Sequence, residues 1–405
     1  MRILFLTISD QQHHSLHKYV DLHCTFDFTS WEDGFRTIYP DVHIFDYYTS
    51  FVTSGPIAME NSIRNLVREN NIQLLIVPNM YYELAPSFLN ELRNDGCKSL
   101  GVFFDDTMRF EATTRFYLSS FDYYLAHDYI PSKSLYKPCG IEAIFFPVLP
   151  SHSFYKEIIQ KLDKADVEAT NDVVFVGAKI ADRNVFISYL KNNDIDIAVF
   201  GKGWPAGMLP TKDMLAIFNS SKISLNFIKT IDGSGRIQFK ARIFEIIMAG
   251  GFVLSEYCDE LTNYFDIGRD IDTFESPQEL SEKIKFYLEH SDLRKAMAAR
   301  AKDKIEKNYS FESNWSKCLI DIKKGRIKSQ YPNPGYEVSE AAIKAFTRWN
   351  FPLIYGRCML GEFRLAFDQY KSWRRELEGL NCGNSITKEF LKCVIRRFVR
   401  IFSNC

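Results

Sequence analysis

"KARIFEIIMAGGFVLSE", residues 240–256, sets Arg242 three places before Glu245, follows with Gly250-Gly251, and ends in the short apolar run FVLSE. On a helix starting near Gln238, the residues Phe239, Ile243, Ile246 and Ile247 form a buried face, and Gln238, Arg242 and Glu245 lie together beside it. Residues three apart on a helix are neighbours in space. A guanidinium matches phosphate oxygens, and a carboxylate accepts from sugar hydroxyls. The glycines that follow let a backbone come close to a ligand, or simply end the helix. The plainer alternative is a surface ion pair followed by a glycine stop. Either way, a helix running straight into a buried strand is the repeating step of a parallel sheet covered by helices.

The same alternation extends in both directions. Upstream, "DVVFVG" (172–177), "IAVFG" (197–201) and "ISLNF" (223–227) predict three strands that join "FVLSE" (252–256) in one sheet. Downstream, Ser276, Pro277 and Glu279 form a capping box before a helix striped by Leu280, Ile284, Tyr287 and Leu288. The first part of the chain repeats the pattern in "RILFLTI" (2–8), "VHIF" (42–45), "IQLLIVP" (72–78), "SLGVFF" (99–104), "YYLAH" (123–127) and "AIFFPV" (143–148), with helix-length segments between some of them. Two open α/β units in tandem result, over 1–155 and 170–325, separated by the polar segment 151–171. Residues 326–405 change character: helical, aromatic, and ending in the basic amphipathic stretch 387–405. There Phe390, Val394, Ile395, Phe398, Ile401 and Phe402 fall in one arc, and Lys392, Arg396, Arg397 and Arg400 in the opposite one. Such a helix lies on an anionic membrane surface, or packs on the protein with its basic arc in solvent.

A chain of 405 residues with a net charge of −1 lacks the electrostatic footprint of a duplex-binding protein, so no nucleic acid partner is expected. Nine scattered cysteines with no CxxC pair argue against a disulfide scaffold or a zinc site and fit a reducing, cytoplasmic compartment. "MRILFLTISD" is too short for a signal sequence and reads as the first strand. No apolar run approaches the ~20 residues that span a bilayer, so at most a peripheral attachment to the inner face of the membrane is expected. The cluster His13, His14 and His17 has no supporting Cys or carboxylate pattern, and no metal site is assigned.

In open α/β sheets, ligands sit beyond the carboxyl ends of the strands. Gly177 ends one strand there, with Lys179 and Arg183 behind it. Lys202 and Trp204 follow another, where the lysine suits a diphosphate and the indole can stack on a base or fill the core. The loop "DGSGR" (232–236) can close over phosphates or be an ordinary turn. In the first unit, Asp105-Asp106 end a strand, and Asp106 is the candidate to orient or deprotonate an acceptor hydroxyl, with a helix cap as the alternative. His127 and Asp128 end the next strand, where a structural histidine is the simpler reading.

Residues 242–312, from "RIFEIIMAGGFVLSE" through "SPQEL" to "YSFE", resemble the C-terminal domain of GT-B glycosyltransferases, in the branch related to spore maturation protein CgeB and the group-1 (GT4-like) enzymes. "VVFVGAKIADRNVFISYL" and "GVFFDDTMRFEATTRFYLSSFDYYLAHD" are similar to other parts of that branch, so the resemblance spans roughly 100–315. It implies two Rossmann-like domains facing a cleft, with a helical C-terminal extension added here. The implied activity is glycosyl transfer from a nucleotide diphosphate sugar to a glycan or lipid-linked acceptor, retaining, with the donor as substrate and no cofactor. By carry-over, Glu245 matches the glutamate that holds the donor ribose and takes a catalytic role. Arg242, Arg183 and Lys202 match positions near the diphosphate. The related enzymes carry a second glutamate eight residues earlier, and here that position is Ile237. The departure keeps two other readings open: a sugar-nucleotide-binding scaffold that lost the chemistry, and a sugar-nucleotide epimerase. Asp105-Asp106 lack the Asp-x-Asp spacing of metal-dependent transferases, so no essential metal is expected.

Overall fold

The computed structural model of the chain describes residues 1–8, 28–79, 81–162, 171–330, 338–378, 386–392 and 394–395. The chain divides into two compact units, one made of residues 1–32, 39–146 and 320–405, the other of 33–38 and 147–319. The helices after residue 326 thus cluster with the first sheet.

The first unit holds six strands: β1 (Ile3–Thr7), β2 (His43–Asp46), β3 (Leu74–Asn79), β4 (Lys98–Phe103), β5 (Tyr123–Ala126) and β6 (Ile144–Phe145). They pair in the order β2-β1-β3-β4-β5-β6, all parallel. Residues of β1, β3 and β5 are buried on both faces, which is why these strands read as unbroken apolar runs. All six expected strands are present.

The second unit holds β7 (Asn171–Val176), β8 (Ile197–Phe200), β9 (Ser221–Asn226), β10 (Val253–Glu256) and β11 (Asp272–Phe274), parallel in the order β11-β10-β9-β7-β8. β11 is missing from the sequence reading, because Asp272 and Thr273 leave no apolar run before Phe274. The expected capping box is present: Ser276 Oγ accepts from the Glu279 N–H at 3.2 Å. The polar segment after residue 150 is not simply a linker, because His152–Leu162 is a helix. Both sheets change direction beside their first strand, β1/β3 in one and β7/β9 in the other. Such a switch point opens a crevice beyond the carboxyl ends of the strands.

The helices after residue 340 repair a fault in the first unit. Helix Tyr47–Glu69 is broken at Gly55 (φ 84°), and Pro56 has no N–H to give to the carbonyl of Val52. Arg357, fully buried on helix Glu340–Leu360, supplies the donors: Nη1 to Val52 O at 3.0 Å and Nη2 to Phe51 O at 2.7 Å. Its Nε donates to Gln369 at 2.9 Å, and Glu362 Oε2 lies 3.2 Å from Nη1. Asn350, on the same helix, accepts from the Tyr82 N–H and donates to the carbonyl of Ala112. Trp373, on helix Phe363–Glu378, donates its indole N–H to Tyr82 O at 2.7 Å. Replacing Arg357 with Met keeps most of the packing but strands two buried carbonyls and the Glu362 carboxylate. Thermal or urea denaturation should register a loss of roughly 3 kcal/mol. Arg64→Ala, which removes an exposed pair with Glu91, should cost under about 1 kcal/mol.

Candidate active site

The carboxyl end of the second sheet gathers charge. β7 runs into Gly177, whose N–H donates to Phe200 O at 2.8 Å, and Lys179 N donates to Lys202 O at 2.8 Å. The loops after β7 and β8 are thereby zipped together. Gly201 (φ 125°) is required there, because a Cβ would stand 2.3 Å from the carbonyl oxygen of Gly177. Arg183, in the first turn of helix Ala181–Asn192, reaches across the switch point. Its Nη1 donates to Ala178 O (2.9 Å) beyond β7, and its Nη2 to Lys229 O (3.2 Å) beyond β9. Burial pulls its pKa down to about 10, with Arg242 adding to the fall and Glu256 opposing it.

Beyond β9 the chain makes a short hairpin, with Gln238 N donating to Ile228 O and Thr230 N to Arg236 O. Asp232 stitches the tip through Thr230, Ser234 and Arg236, so "DGSGR" is an ordered turn. Helix Arg242–Met248 then begins, and Ile243, Phe244, Ile246 and Ile247 are fully buried. Arg242 and Glu245 form an ion pair, Nη1 to Oε2 at 2.9 Å, with side-chain exposures of 19% and 9%. This is a sheltered pair, unlike the surface pair of the plainer reading. The Tyr155 hydroxyl donates to Glu245 Oε1 at 3.2 Å. The Arg242 guanidinium also touches Met214 Sδ and lies 5.9 Å from the ring centre of Phe218.

Several sequence expectations are corrected. Trp204 belongs to the core cluster of the second sheet and donates its indole N–H to Gly177 O at 2.9 Å, so its ring is not presented to a base. Lys179 Nζ stands 5.1 Å from the centre of that ring. With its N–H and carbonyl both engaged, Gly177 is a packing turn and leaves no backbone donor for a phosphate. Gly250 and Gly251 end their helix, Gly250 at φ 87°, and lead into β10 at its amino end. They therefore lie at the opposite end of the sheet from Arg242. Asp106 is withdrawn as a base: it is buried, with Oδ1 accepting from the Thr114 hydroxyl at 2.6 Å and Oδ2 from the Tyr136 hydroxyl at 2.5 Å. His127 is also buried, with Nδ1 2.7 Å from Phe146 O and its ring among Trp31, Phe104 and Phe146. Asp128 accepts from Thr107 N and Oγ1.

Three residues at this end were missed. Glu256 closes β10, buried, and accepts from Ile228 N at 3.1 Å. Lys229 lies 3.3 Å from Asp182 and 3.9 Å from Glu256. Tyr155 comes from a segment read as a connector. A carboxylate ending an apolar strand was the available signal for Glu256.

His13, His14 and His17, and Arg396, Arg397, Phe398, Arg400, Ile401 and Phe402, lie outside the described residues. Of the stretch 387–405, Phe390 is described stacked on Tyr370, ring centres 4.2 Å apart, while Leu391 and Ile395 are exposed. Among the described residues, no three His, Cys, Asp or Glu side chains form a metal-holding group. No described helix is long and apolar enough to cross a membrane.

The sequence profile of the glycosyl transferase-like family matches residues 183–319. The second unit therefore carries a glycosyl transferase-like domain, and the chain has the GT-B class of fold. Among solved structures, Anabaena HepE in complex with UDP-glucose superposes with a TM-score of 0.54 at 11% identity, over 80% of this chain and 100% of that one. A glycosyltransferase from Rickettsia africae ESF-5 gives 0.51 at 11% identity, over 81% and 99%. The CgeB-related branch is not singled out by these matches. No curated protein sequence matches the chain.

The buried Asp106 makes a pH prediction. Desolvation raises its pKa from the usual 3.8 to about 7, against the pull of the Thr114 and Tyr136 hydroxyls. Between those values the folded chain holds the proton and the unfolded chain does not. The contribution of this group is complete below pH ~4 and is lost as pH rises through about 7. Asp106→Asn should therefore gain thermal stability relative to the parent as pH goes from 5 to 8. A difference in melting temperature that stays flat or runs the other way would contradict the assignment.

Proposed function

We propose that the chain transfers a sugar from a nucleotide diphosphate sugar, with a uridine diphosphate sugar as first candidate, to a glycan or lipid-linked acceptor. The observation that carries this reading is the sheltered Arg242–Glu245 pair at the carboxyl end of the second sheet, the end where the loops after β7, β8 and β9 carry Lys179, Lys202 and Lys229. The matched family profile and the UDP-glucose held by HepE support it. In this reading Glu245 accepts from the donor ribose, and the Tyr155 hydroxyl fixes the orientation of its carboxylate. Arg242 and the nearby lysines face the diphosphate and stabilise the charge that grows on it as the glycosidic bond breaks. Arg183 adds positive charge while bracing two loops, so it is a positioning residue. Fixed cations meet the leaving-group charge, and transfer is metal-independent. Retention of configuration follows the family resemblance. The arc 387–405 would bring the protein to a membrane carrying a lipid-linked acceptor.

One observation favours a second reading. Ile237 stands half-exposed where related enzymes carry a carboxylate, which suits a domain that binds a sugar nucleotide without turning it over.

Incubating the purified chain with UDP-, GDP- and dTDP-sugars plus acceptor should release nucleotide, undiminished by EDTA. Glu245→Gln and Arg242→Ala should each lower kcat/KM roughly 100-fold while circular dichroism stays unchanged. Donor binding by thermal shift with no nucleotide released in the presence of any acceptor would select the second reading. Absence of both would sink the proposal.

A further inference from the structure

The second unit has a cavity of about 360 Å³ at the end of its sheet away from Arg242. It opens where β9 and β10 begin, under helix Ser291–Asn308. Four cations line it: Lys222 at the start of β9, and Arg294, Lys295 and Lys302 on the helix. Positions 294, 295, 298, 299 and 302 share one helical face, so Arg294, Lys295 and Lys302 converge on the cavity, while Arg300, Lys304 and Lys307 lie on another face. Small residues keep the space open. Ala298 and Ala299 lie between the cations, and Gly250, at φ 87°, offers no side chain.

Among the described residues, no acidic side chain lines the cavity. Asp172 pairs with Lys222 at 2.6 Å, and its charge also acts on Arg294. Arg294 is 7% exposed, with Nη1 donating to the carbonyl of Tyr287, so one of the four charges is held in the wall. Ser221 and Asn219 complete a polar floor, and Phe252 adds an apolar side. Like charges gathered in a concavity focus positive potential and repel one another. An anion relieves that repulsion. Ordinary small-molecule sites start at about 300 Å³, so the space fits a phosphate with a small organic group attached.

We infer that this cavity binds a phosphate monoester, distinct from the donor proposed at the other end of the sheet. A guanidinium and lysine ammoniums are the groups that recognise such an ester. Attraction of this kind weakens with added salt. The ester could be a soluble phosphorylated metabolite or a phospholipid headgroup.

Calorimetric titration of the full chain with inorganic phosphate and with glycerol 3-phosphate should show binding that weakens as NaCl is raised. The double variant Lys295→Glu/Lys302→Glu should bind at least tenfold more weakly, and Arg242→Ala should bind as the parent does. Flotation with phosphatidic acid vesicles, against phosphatidylcholine alone, forms the second arm. The arm that loses binding in the double variant names the source. If circular dichroism shows the double variant unfolded, Lys302→Gln repeats the test. No binding in any arm overturns the inference, as does equal binding by the double variant. Binding abolished only by Arg242→Ala also overturns it, while leaving the donor reading intact.

Discussion

A single guanidinium, that of Arg183, spans the point where the second sheet reverses its strand order. It holds the carbonyl beyond β7 and the carbonyl beyond β9 at once. The crevice at a switch point exists because neighbouring strands send their connections to opposite faces of the sheet. Without a bridge, the two loops would move independently. The charged groups around it, Arg242 with Glu245 and Lys229 near Glu256, are placed relative to that brace. The cost is a buried cation, visible in the lowered pKa of Arg183. Positive charge kept in a poorly hydrated place attracts an anion more strongly than the same charge in water.

Chain direction separates the two ends of the sheet by role. The loops leaving β7, β8 and β9 at their carboxyl ends carry Lys179, Lys202 and Lys229, while the loop entering β10 closes a helix with two glycines. Gly250 and Gly251 belong to the entering class. A reading that follows the chain down helix Arg242–Met248 finds the glycines a helix length from the arginine. Proximity in sequence is misleading whenever a helix lies between.

Most of the fold was legible, for one physical reason. Parallel strands buried on both faces must be apolar without interruption, as β1 and β5 are and β3 nearly is, and ten of the eleven strands stand out in the sequence as short, largely apolar runs. Asp272–Phe274 does not, because Asp272 and Thr273 leave Phe274 as its single apolar residue. The candidate site was legible in part. The spacing of Arg242 and Glu245 put them side by side, as found. Spacing could not show that Trp204 fills the core or that two hydroxyls enclose Asp106, because both depend on residues distant in sequence or on the far side of a loop. Glu256 went unnoticed because it ends a strand that was read only for its apolar residues.

The break at Gly55-Pro56 has a kinetic corollary. The donors that satisfy its carbonyls are about three hundred positions away, on Arg357. During synthesis the first sheet emerges well before residue 357, and until then it lacks the guanidinium that completes one of its covering helices. The second unit, whose main segment is continuous from 147 to 319, has no such wait. Contacts this far apart in sequence form late. The covering of the leading sheet is thus completed by helices that follow the second unit in the chain.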